Sequence, residues 1–83
     1  MNRVEAFKAY RTHPWLGPRY RKLNEEEVAF ALAFLEENKL LTNDALVYKI
    51  NRLFLDKPKS KHFLIIMELL TCCASQQIQM NMF

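Results

Sequence analysis

The sequence predicts an all-α fold: a small bundle of three main helices plus a short N-terminal helix, assembled as a dimer. Three observations predict it. One glycine and three prolines in 83 residues are too few for an all-β chain, which needs a turn signal roughly every 8–12 residues. Apolar residues recur at helical spacing in three long segments. Helix-start chemistry, most clearly Asn24-Glu25-Glu26-Glu27, stands in front of such segments. A chain of this length makes a single domain with no room for a second core. We divide it into a basic arm, residues 1–23, with a short helix and a Pro-rich loop, and a three-helix body, residues 24–79.

In the arm, Val4, Phe7 and Tyr10 repeat at helical spacing behind Asn2, a good N-cap, so a short helix is expected over about residues 3–11. Two or three turns are marginal alone, and this helix must dock through Phe7 and its neighbours. His13-Pro14-Trp15-Leu16-Gly17-Pro18 reads as a loop, with His13 and Gly17 pushed out of the helical region by the prolines that follow them. Trp15 and Leu16 are large apolar groups in an irregular segment. They suit either the edge of a helical core or an anchor for a partner.

The first main helix begins at the Asn24 cap, where three glutamates suit the positive end of the helix dipole. Val28, Leu32 and Leu35 lie on one of its faces, with Phe30 and Phe34 on the next. Thr42 or Asn43 caps the second, whose stripe of Leu46, Val47, Ile50, Leu53 and Phe54 leaves Tyr48, Lys49, Asn51 and Arg52 facing out. The third starts at Pro58 or Ser60 and continues to about residue 78. Between Lys61 and Ala74 it is apolar over most of its circumference, which requires cover on more than one side. With Glu68 in its middle it falls short of the roughly 20 residues needed to cross a bilayer.

Several chemistries find no support. No glycine-rich phosphate loop is present, because Gly17 is the only glycine. Cys72 or Cys73 stands about 15 Å from His62 along one straight helix, too far for a nucleophile–base dyad. Adjacent cysteines with two scattered histidines lack the paired spacing of a zinc site. No catalytic, cofactor-binding or metal-ligating residue is assigned, and no cofactor or small-molecule substrate is expected. Two thiols that cannot easily bridge each other, and an amino terminus without an apolar leader, lead us to expect a cytoplasmic protein.

Charge is uneven. Residues 1–22 carry six bases against one acid, and residues 23–83 six bases against eight acids. Aromatic side chains interleave with the bases of the arm, so Arg11, Arg19, Arg21 and Lys22 are candidate nucleic-acid contacts. Lys57, Lys59, Lys61 and His62 form a second basic grouping.

The apolar content carries the main functional expectation. A chain this short buries only about 60–65% of the surface its unfolded form exposes, yet two helices are apolar on more than one face. Exposing several such side chains would forfeit several kcal/mol at about 25 cal/mol per Å². Association with another protein, most economically a second copy of the chain, would remove that cost. Phe30, Phe34, Ile65 and Leu69 are the expected interface, with Trp15 as an outlying anchor.

Residues 25–70 resemble the small enterobacterial biofilm and acid-resistance regulators of the YmgB/AriR kind. The likeness rests on the acidic Glu25-Glu26-Glu27 opening, the turn at Asn43, the Leu46-Val47/Ile50/Leu53 stripe and the closing Met67-Glu68-Leu69-Leu70. It implies a short, all-helical, dimeric connector or modulator of transcription and not an enzyme. The His13–Pro18 loop and the basic arm have no counterpart there. The expected function is therefore a non-enzymatic regulatory protein acting through protein–protein contact, with a homodimeric modulator of transcription or signalling as its leading form. A nucleic-acid-binding accessory factor and a phage- or plasmid-encoded inhibitor of a host protein are the alternatives.

Overall fold

A computed structural model describes residues 2–56 and 61–75, except the side chains of Phe54 and Asp56. Among the described residues there are five helices and no strand: α1 (Arg3–Thr12), α2 (Gly17–Tyr20), α3 (Glu25–Glu37), α4 (Asn43–Asp56) and α5 (Lys61–Ser75). The expected start of the last helix at Pro58 or Ser60, and its continuation to residue 78, lie outside the described residues.

Two capping boxes fix the helix starts. At α1 the Glu5 amide donates to Asn2 Oδ1 at 2.8 Å, and the Asn2 amide donates back to Glu5 Oε1 at 3.3 Å. At α3 the Asn24–Glu27 pair makes the same exchange at 2.8 Å in both directions. Each box satisfies two amides that the first turn leaves without helical partners. Thr42 caps α4 by accepting from the Ala45 amide at 3.2 Å.

One local expectation is corrected. His13 is extended, with φ −65° and ψ 136°, as a residue before proline should be. Gly17 instead opens α2, its amide donating to the His13 carbonyl at 2.6 Å and its carbonyl accepting from Arg21 at 2.8 Å. The clash that keeps a pre-proline residue out of the helical region comes partly from its Cβ, which glycine lacks. Pro18 in the first turn loses no helical hydrogen bond. Glycine is needed for a second reason: a Cβ there would stand 2.6 Å from the Arg11 carbonyl oxygen.

Helix α5 is the hub, packing against α1, α2, α3 and α4. That cover accounts for its apolar circumference, and Ile65, Ile66, Leu69, Leu70, Cys73 and Ala74 are all buried. Much of the cover comes from the first 23 residues. Ala6, Phe7, Tyr10, Tyr20 and Leu23 belong to the same buried cluster as Ala31, Leu35, Leu46 and Ile50. The short first helix docks through Phe7, so the basic segment is also part of the core.

Candidate functional site

The amphipathic logic of α3 sets the site. Ala31 and Leu35 point into the core, wholly buried, with Val28 and Leu32 half-buried beside them. On the outer side Phe30 is 38% exposed and Phe34 is half-buried. Their rings stack, with centroids 6.4 Å apart and planes 27° from parallel. Ala29 and Ala33, both exposed, flank the pair and leave its surroundings low. Small residues spaced by four along a helix let another backbone come close, and an aromatic pair then supplies most of the buried area.

The helix is also strongly acidic. Glu25, Glu26, Glu27, Glu36 and Glu37 are its charged residues, and it contains no base. Glu36 pairs with Lys39 at 3.0 Å, and His62 Nδ1 lies 3.4 Å from Glu27 Oε2. Glu26 and Glu37 are exposed, and at 100° per residue they fall on the same outer side as the phenylalanines.

The other expected interface residues are placed differently. Leu69 is wholly buried within the chain and Ile65 is only 8% exposed. Both are core residues, and the expectation that they meet a partner is corrected. The first 23 residues cover the side of α5 that a three-helix count leaves bare. Trp15 is 66% exposed, its indole edge-to-face with the His13 ring at 5.8 Å. His13, itself buried, holds this turn by accepting at Nδ1 from the amides of Trp15 (3.1 Å) and Leu16 (3.4 Å).

The candidate nucleic-acid contacts are partly engaged inside the fold. Arg19 forms an ion pair with Glu68 and lies 5.5 Å over the Tyr20 ring. Arg11 Nη2 donates to the Leu23 carbonyl at 3.2 Å. Arg21 and Lys22 are exposed. The four do not act as one uncommitted basic track.

Around Tyr20 the fold assembles a polar cluster that sequence reasoning missed. Its hydroxyl donates to Glu68 Oε1 at 3.4 Å, and its ionisation is pushed well above the usual phenol range by burial first, then by Cys72 and Glu68. Burial raises the Cys72 thiol, and raises Cys73 from 9.0 to about 12. A neutral phenol and neutral thiols at physiological pH make neither a base nor a thiolate nucleophile. Among the described residues no group of three His, Cys, Asp or Glu side chains is placed to hold a metal ion, and no helix is long and apolar enough to cross a membrane.

Two hollows are also absent from the sequence reading. One, of about 280 Å³, lies between the start of α1 and the end of α3 around Arg3. The other, of about 220 Å³, is lined by Phe7, Lys8, Arg11, Thr12, Val28 and Leu32. The Val28/Leu32 spacing and the neighbouring Lys8 and Arg11 were visible in the chain. Their meeting depends on how α1 lies against α3. Comparison with protein-family models, with characterised proteins and with solved structures finds no match.

Proposed function

We propose that this is a small non-enzymatic regulatory protein that works by binding protein through the outer face of α3. The observation that carries the reading is the stacked Phe30–Phe34 pair, partly open to solvent between two exposed alanines. A folded chain that buries Leu69 and Tyr20 completely leaves this aromatic pair at its surface. Aromatic anchors beside small residues, with a charged rim, are the usual composition of a binding centre.

The acidic rim selects the kind of surface received. Two α3 outer faces packed directly on each other would bring Glu26 and Glu37 of one copy against the same pair of the other, with no base in either helix to offset them. A basic, apolar counterpart is favoured, and such a rim speeds and orients its approach. The regulatory role itself rests on the resemblance of residues 25–70 to connector-type regulators.

The test is Phe30→Asp, a surface change that leaves the core side chains in place. Tagged wild type is expected to retain a protein in a pull-down, and the variant is expected to keep the wild-type helical circular dichroism and retain none. Retention of that protein by a folded Phe30→Asp chain would contradict the reading.

A further inference from the structure

The groove at the α1–α3 junction and the outer face of α3 both carry apolar side chains and are opposite in charge. The groove has an apolar floor of Phe7, Val28 and Leu32, and two cations, Lys8 and Arg11, line it. Among the described residues neither cation has an ion-pair partner, and the buried Arg11 Nε has no hydrogen-bond acceptor. The groove, about 220 Å³, is smaller than the roughly 300 Å³ at which small-molecule pockets begin, and it is of a size for one or two inserted side chains. The outer face of α3 offers such side chains, Phe30 and Phe34, with Glu26 and Glu37 beside them.

We propose that the groove receives the α3 outer face of a second copy of this chain, in a head-to-tail contact. This rests on the reading of that face as a protein-binding surface and names its occupant. Charge complementarity argues for it: Lys8 and Arg11 line the groove with no acid among its lining residues, whereas Glu26 and Glu37 flank the phenylalanines on the outer face of α3, a helix with no base. Phe30 and Phe34 average two positions further along α3 than Val28 and Leu32, so the two surfaces lie about 200° apart around the helix. Each copy therefore presents a donor face on one side and a receiving groove on the other. Such a heterologous contact does not close on itself as a two-fold dimer does, and association proceeds by addition of further copies unless a rotation closes a ring.

The experiment is sedimentation of the full chain and two surface variants. Ala33→Arg, at an exposed position, blocks the donor face, and Lys8→Glu, also exposed, reverses the groove. Wild type gains mass continuously from micromolar to millimolar concentration and loses it in roughly 1 M salt, where the Debye length is about 3 Å. Each variant alone is a folded monomer, and an equimolar mixture forms a complex of two chains through one intact face and one intact groove. A wild type that stays monomeric at millimolar concentration overturns the proposal, leaving the α3 face to bind a different protein. Association that stops at a dimer, with no complex in the variant mixture, also overturns it.

Discussion

Arg3 Nη2 donates to the Leu41 carbonyl at 2.8 Å, joining the first turn of α1 to the turn between α3 and α4. The same guanidinium donates to Asn43 Oδ1 at 2.8 Å and to the Lys39 carbonyl at 3.3 Å. One planar cation thus satisfies acceptors that the end of α3 leaves without helical partners. Arg3→Ala is expected to lower stability by about 1.5–3 kcal/mol in urea unfolding, the range for hydrogen bonds involving a charged group. Arg3→Lys recovers only part of the loss, because a single ammonium does not span these acceptors. A loss below about 0.5 kcal/mol for Arg3→Ala, the level of an ordinary surface change, would refute the assignment.

Gly17→Ala sets two effects against each other. Alanine favours helix over glycine by about 1 kcal/mol. The added Cβ, however, stands 2.6 Å from the Arg11 carbonyl, a backbone atom with no flexible end to move aside. Overpacking of this kind costs about 1–3 kcal/mol, and steric crowding wins. Thermal unfolding is expected at a lower temperature than for the wild type. An unchanged or raised Tm would show that α1 and α2 separate easily.

Tyr20 is wholly buried, so its ring and its hydroxyl contribute separately. Tyr20→Ala is expected to cost about 3–5 kcal/mol, as large-to-small changes of buried aromatics do. Tyr20→Phe keeps the ring and removes the hydroxyl's hydrogen bonds, to Glu68 at 3.4 Å and to Cys72, and is expected to cost about 1 kcal/mol. Equal losses in denaturant titrations would mean that the hydroxyl, and not ring packing, holds α2 to α5.

These elements also show how far the residues themselves announce the fold. The Asn24–Glu27 capping box, the inward Leu46 and Ile50, and the apolar α5 are legible because spacing and capping chemistry are local signals. Tyr20 was not legible as core. It lies beside Pro18 among bases, and its burial depends on α2 meeting α5. The reversal of Ile65 and Leu69 from expected surface to core has the same cause, since periodicity counts apolar faces but does not assign their covers. Phe30 and Phe34 could be read as lying off the main stripe, whereas the Lys8–Arg11 groove required α1 to be placed against α3.

Alkali offers a test of the buried thiols and phenols. Burial, and then Cys72, hold the Cys73 thiol protonated up to about 12, against an ordinary value of 9.0. Burial likewise raises Tyr10 and Tyr20 above their ordinary 10.0. The folded chain keeps protons that the unfolded chain loses, so this stability is fully present below pH about 9 and is lost as pH rises toward 12. Denaturant midpoints measured from pH 7 to 11 are expected to be level at first and then to fall. Cys73→Ala makes the fall shallower, and a stability that increased above pH 9 would contradict the burial of these groups.

Site-specific photo-crosslinking in the cells that make the protein tests the α3 face most directly. A crosslinking amino acid replaces Ala33, beside the Phe30–Phe34 pair, or Tyr48, exposed on α4. A discrete protein adduct at position 33, absent at position 48, is the expected result. No adduct at 33, or equal labelling at both positions, would contradict it.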